Sequence, residues 1–209
     1  MNKPGLILVG AGGHAGAVID VVEQHGEYQI VGLVGSHKEV QTRRLGYPVI
    51  GTDSDLSELA KMHKFALVTV GQIQSPDIRM RLYELAVQAG FQLPIIVAPS
   101  AYVSHHADLG AGSVVMHGAI VNAGAKVGAN CIVNTRALLE HDVSIADHCH
   151  ISTGAILNGN ACVGAGSFVG SASVVREGVS LGKRCVVGMG LSVRHNQVDG
   201  AQLNGSNKQ

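Results

Sequence analysis

The run Asn134-Thr135-Arg136-Ala137-Leu138-Leu139-Glu140-His141-Asp142 crowds polar groups around a histidine. His141 has a carboxylate on either side in sequence. A carboxylate that accepts the proton of one imidazole nitrogen fixes the tautomer and raises basicity. The other nitrogen is then free to act as a general base. The bland alternative is a solvated turn in which acid, histidine and acid meet by chance. A second candidate is Gly10-Ala11-Gly12-Gly13-His14-Ala15, between an apolar run and a helical pattern. Glycines there let the backbone approach a phosphate, and a helix start favours negative charge. As a dinucleotide fingerprint, Gly10-x-Gly12-x-x-Ala15 is loose and weak on its own.

The other histidines offer less. His25, His37 and His63 fall in surface helices or loops. His105, His141 and His195 differ by multiples of eighteen, so in the coil described below they share a column. Separations of roughly 10 and 14 Å within it exclude a shared metal. A zinc site of the γ-carbonic-anhydrase kind would need His117, His148 and His150 to converge, but His117 sits nearly two coils away from the other two. The expectation is a site without metal.

Two kinds of element must position these residues. From Val103 to Val193 every sixth residue is aliphatic, sixteen in succession, and a mostly small residue precedes each by two. That is the hexapeptide β-helix pattern. Three hexads make a triangular coil of eighteen residues, with the aliphatic residue inside and the small one at the corner. Sixteen hexads give about five coils, each burying its core against its neighbours. Cys131, Cys149 and Cys185 occupy the small column and Cys162 lies beside an inward position; all four read as reduced packing residues.

Before the coil, Leu6–Val9 reads as a strand, then the glycine turn and a helix through Ala17, Val18, Val21 and Val22. A second strand covers 29–34, a loop carries Pro48 and Gly51, and a short helix lies near 53–63. A third strand covers 65–70, a helix 76–89, and a fourth strand 93–97. The expected fold is α/β plus β. Residues 1–98 form a small Rossmann-like parallel domain, 99–195 the β-helix, and 196–209 a polar, loose tail. An NAD site is disfavoured, because Gly35-Ser36-His37 follows the second strand and Glu39 falls too late to meet a ribose.

Charged residues are only 14% and the formal net charge is zero, so no basic face exists for nucleic acid. The apolar run before Gly10 is too short for a signal peptide or a membrane span. A cytoplasmic protein with no membrane partner is expected.

Gly10-Ala11-Gly12-Gly13-His14 with the α/β domain, Asn134-Thr135 with Glu140-His141-Asp142, and His150 in an unbroken hexapeptide array together resemble the bacterial nucleotide-amino-sugar N-acetyltransferases of the bacillosamine and perosamine type. These are close to the sialic-acid O-acetyltransferases. The resemblance covers almost the whole chain. It implies a left-handed coil, a homotrimer with sites between neighbouring prisms, acetyl-CoA as co-substrate and a nucleotide-linked 4-amino-4,6-dideoxy sugar as acceptor. His141 matches the general base and Asp142 the acid beside it. His150, Gly159 and Ser171 match positions near acetyl-CoA. Gly12, Gly13 and His14 match the sugar-nucleotide phosphate region. Gly71, Gln72 and Arg79 match the mouth of the third strand, and Ser36 and Asn134 complete the substrate-binding set. Uridine or guanosine is open, the former preferred. Gly205-Ser206-Asn207-Lys208 departs from the family's usual cofactor-touching tail. O-acetylation of a sugar such as sialic acid is the rival activity. A non-catalytic β-helix and an NAD-retaining regulator are rivals of other classes.

Overall fold

The computed structural model describes residues 3–205. The first part runs β1 (Gly5–Val9), α1 (Gly13–His25), β2 (Gln29–Val34), β3 (Arg43–Arg44), β4 (Tyr47–Gly51), α2 (Leu56–Met62), β5 (Phe65–Val68) and α3 (Asp77–Gln88). Sheet order is β3-β4-β2-β1-β5. All neighbours are parallel except the β3–β4 hairpin. The segment around Pro48 and Gly51, expected as a loop, is therefore a strand, because Val49 inserts its side chain into the core and pairs with Leu33. Helix α1 buries Ala15, Val18, Ile19, Val21 and Val22, an apolar stripe at helical spacing. Gly26 ends it in the left-handed conformation, its N–H donating to Val22.

From Ile96 onward the chain winds as a triangular parallel coil. Its faces are three parallel sheets of seven, six and five short strands, each strand pairing with one about eighteen residues away. Val115, Val133, Ile151, Val169 and Val187 stack inside with no exposure. The small column also satisfies corner polar groups. Ser113 Oγ donates to the Gly128 carbonyl at 2.7 Å and accepts the Cys131 N–H at 2.9 Å. Cys131 and Cys149 Sγ each lie 3.2 Å from a carbonyl of the next corner. All four cysteines are free, and only Cys162 is exposed.

The turns share one constraint. Every sixth residue from Gly112 to Gly190 has positive φ, including Asn130, Arg136, Asp142, His148, Asn160, Ala172 and Arg184. Gly, Asn, Asp and His adopt that region most readily, which explains the polar character of this column.

Two expectations change at the coil's ends. Ile96–Val97 does not join the α/β sheet; it pairs with Val114–Val115 as the first rung of the coil. The segment after Asn196 is not loose throughout: Gln197 bridges to Leu181 and Gln202–Leu203 pairs with Val186–Val187. Ser206, Asn207 and Lys208 of the expected tail motif lie outside the described residues. The two parts pack through a shared apolar core in which Val18, Val21 and Val22 of α1 meet Ile96, Val114 and Met116 of the coil. No helix among the described residues is long and apolar enough to cross a membrane.

Candidate active site

A pocket of about 580 Å³ opens at the carboxyl ends of β1 and β2, the place where parallel α/β sheets hold ligands. Gly12, Ser36, Thr52, Asp53 and Arg81 line it, as does Glu39. The sequence put Glu39 too far along to reach this site. A tight turn, closed by the Glu39 N–H to the Ser36 carbonyl at 2.9 Å, folds it back. Its Oε2 accepts from Ser36 N–H at 2.8 Å and Ser36 Oγ–H at 2.7 Å, which holds the Glu39 carboxyl below its usual range. An acid therefore stands at the end of β2 after all.

His14, in the first turn of α1, faces the coil. A Cβ on Gly71 would lie 3.5 Å from that of His14, at ordinary van der Waals contact, so the strand end runs directly alongside the first turn of α1. Burial pushes the His14 imidazole down to about 3, with Arg79 and His150 adding to the effect, so the ring is neutral.

The segment after β5 ties both parts together. Thr69 Oγ1 donates to the Gly10 carbonyl at 2.6 Å. Arg79, fully enclosed on α3, donates from Nη1 to Val68 and Val70 carbonyls at 2.9 and 2.7 Å, and from Nε to the Asn130 carbonyl at 3.1 Å. Burial lowers its pKa to about 10, still cationic. Gln72 is 4% exposed. Its amide N–H groups go to the His148 carbonyl at 2.8 Å and the Ser167 carbonyl at 3.4 Å. The donors of the Gln72 side chain, a residue expected in the substrate-binding set, are taken by coil carbonyls.

A second cleft, of about 760 Å³, runs along the seven-stranded face. Asn134, His150, Ser152, Phe168 and Ser171 line it. His150 Nδ1 lies 2.7 Å from the Gln72 carbonyl and Nε2 lies 3.0 Å from Asn134 Nδ2. Burial takes its pKa down to about 4. His150 is thus a neutral ring with both nitrogens engaged, unsuited to take a proton.

His141 stands elsewhere, in the turn that joins the six-stranded face to the five-stranded face. Its Nδ1 lies 3.0 Å from Asp142 Oδ2, with the imidazole 62% and the carboxylate 60% exposed. Glu140 does not share in this; its Oε2 accepts from Asn122 Nδ2 at 3.0 Å. Of the two flanking acids, one turns to the histidine and the other to the preceding coil. Gly159, one coil on, touches the ring: a Cβ there would sit 2.5 Å from His141 Nε2. One chain therefore brings Asn134, His150 and Ser171 together, and His141, Asp142 and Gly159 together, but on different edges of the prism.

Among the described residues no three potential metal-binding side chains cluster. His117 is engaged by Asp20 and Ser100 at 2.9 and 3.2 Å, and His148 by Asn130 at 3.0 Å, so the three histidines of a zinc site face different partners.

Comparison with known proteins matches this architecture. The family described as PglD N-terminal domain matches residues 5–85, and that described as hexapeptide repeat of succinyl-transferase matches residues 161–194. The acetyltransferase domain of PglB from Neisseria gonorrhoeae FA1090, solved with acetyl coenzyme A, is 34% identical with a TM-score of 0.88 over 96% of each chain. PerB from Caulobacter crescentus, solved with CoA and GDP-perosamine, is 32% identical with a TM-score of 0.88, over 95% of this chain and 92% of that one. WeeI from Acinetobacter baumannii AYE, 21% identical with a TM-score of 0.84 over 97% and 98% of the two chains, shares the fold. With a Rossmann-like domain leading into a left-handed parallel β-helix, and sequence likeness along nearly its whole length, the chain belongs to the family of hexapeptide-repeat acetyltransferases that contains the PglB acetyltransferase domain and perosamine N-acetyltransferase.

Proposed function

We propose that this protein transfers the acetyl group of acetyl-CoA to the 4-amino group of a nucleotide-linked 4-amino-4,6-dideoxy sugar, with His141 as general base. The observation that carries the role of His141 is its Nδ1 contact with Asp142 at 3.0 Å, which leaves Nε2 free beside Gly159. The neutral amine attacks the thioester carbonyl. The new C–N bond forms as the amine proton passes to His141 Nε2; the C–S bond then breaks and the imidazolium returns that proton to the departing sulfur, so that CoA leaves as thiol. Direct transfer needs neither a metal nor a covalent enzyme intermediate. Orientation of the two substrates supplies much of the rate.

The two clefts suit the two substrates. The pocket at β1 and β2, with Gly12 and Ser36, would take the nucleotide; the seven-stranded cleft, with Ser171 and Phe168, would take the pantetheine arm. His141 reaches that cleft only if a second copy supplies it, and a homotrimer does so. The outer column of the six-stranded face supports this assembly: Tyr102, Ile120, Leu138, Ile156 and Val174 make an apolar stripe, with Tyr102 57% and Ile120 40% exposed. The five-stranded face carries Asp108, Lys126, Ser144 and Ser180 instead.

The test is thiol release from acetyl-CoA against a panel of UDP- and GDP-linked amino sugars, with sialic acid included. Rapid turnover on a 4-amino sugar is expected. Turnover with sialic acid alone would replace N- by O-acetylation. Sedimentation should give three times the chain mass, and a monomer that turns over would refute the shared site.

A further inference from the structure

We propose that Gln72 is a positioning residue for acetyl transfer, acting from the α/β domain through His150 on the amide of Asn134. The proposal rests on the acetyl-transfer reading above, and its central prediction concerns a proton that can be observed without turnover.

The hydrogen bonds fix every proton in this chain. The Thr135 N–H can only donate, and it meets Asn134 Oδ1 at 2.7 Å. The other end of that amide is therefore the donor, and it meets His150 Nε2 at 3.0 Å. Nε2 must carry no proton. The Gln72 carbonyl can only accept, and it meets His150 Nδ1 at 2.7 Å, so Nδ1 must carry one. The backbone of Gln72 thus selects the tautomer of a coil histidine, and that tautomer selects the orientation of Asn134, whose second amide N–H is left for the cleft.

The Gln72 side chain holds that carbonyl in place by gripping the coil at His148 and Ser167. It is not needed merely to dock the domain. Arg79 already fastens the same strand end to the coil through Val68, Val70 and Asn130, and an apolar core joins the two parts nearby. The grip of Gln72 is thus matched to the one carbonyl that faces His150.

The experiment is long-range ¹H–¹⁵N correlation on histidine-labelled protein, with His150→Gln to assign the signal, alongside steady-state kinetics of Gln72→Met. His150 should be a neutral Nδ1–H tautomer at neutral pH. Gln72→Met keeps the side-chain length and loses both donors. It should populate the Nε2–H form and lower kcat about 10-fold, with KM for the nucleotide sugar within twofold of wild type. An Nε2–H or protonated His150 in the wild type overturns the proposal, and this reading does not depend on the folding of Gln72→Met. A Gln72→Met enzyme with wild-type tautomer and kcat overturns it too. If wild type turns over no sugar in the panel, the acceptor reading has failed, and the tautomer shift still decides the role of Gln72.

Discussion

The imidazole of His14 lies 6.2 Å, centroid to centroid, from that of His150. One ring belongs to the first turn of α1 and the other to the coil, and Gly71 passes beside His14. The contact sets the first turn of α1 against a residue that lines the coil cleft, at the seam between the two parts.

His141→Ala should fold, since the ring is largely in solvent. It should lose at least about 100-fold in kcat, the lower range for a general base. Asp142→Asn should lower kcat by about 10-fold in steady-state kinetics, because the carboxylate no longer orients the ring through Nδ1. Near-wild-type turnover of His141→Ala would remove it from the base role.

Gly159→Ala separates catalysis from stability. The position does not have positive φ, so the backbone accepts alanine. The added methyl would strike His141 Nε2 and push the ring from its place. Roughly 10- to 100-fold loss in kcat is expected with the melting temperature almost unchanged. A matched loss of both would refute the close approach as the cause.

Arg79→Met should be costly. It leaves the carbonyls of Val68, Val70 and Asn130 without their donor in a closed interior. At about 1–3 kcal/mol for each buried group left unpaired, a loss of at least about 3 kcal/mol is expected in urea unfolding. A change under about 1 kcal/mol would show that water replaces the guanidinium.

Acid should unfold the protein through two buried histidines. His14 and His150 titrate at about 3 and about 4 when folded, against an ordinary value near 6.5. The unfolded chain therefore binds protons first as pH falls. Stability is complete above about pH 6.5 and declines toward pH 4, by roughly 1.4 kcal/mol per pH unit for each ring. Urea midpoints measured across that window should fall steeply, and His150→Gln should roughly halve the slope. A flat profile would mean that one or both rings are charged in the native state.

The coil was legible because its period of six is unlike any helix or paired-strand period. Its end was not, because Val187 pairs with Leu203, sixteen residues on, and the shorter last turn takes the chain out of the column. Its start was masked by Pro99, although Val97 stands six before Val103 and obeys the pattern. Glu39 was missed because counting along an extended strand cannot register a three-residue turn. The burial of Arg79 had a signal: with Leu82 and Ala86 it falls on the apolar stripe of α3. Which histidine is free and which is locked had none, since the partners of His150 come from residues 72 and 134, far apart in the chain.

The first rung of the coil is also the last stretch of chain leaving the α/β domain. Ile96–Val97 covers Val114–Val115, so the junction is a splice and not a tether. A gene cut at residue 98 would hand the rung to the wrong half and leave the coil's seven-stranded face without its end. Nor is there a free length of chain on which one half could swing. Exchange of α/β halves between coils, whether by recombination or at the bench, must therefore leave the rung with the coil that it caps.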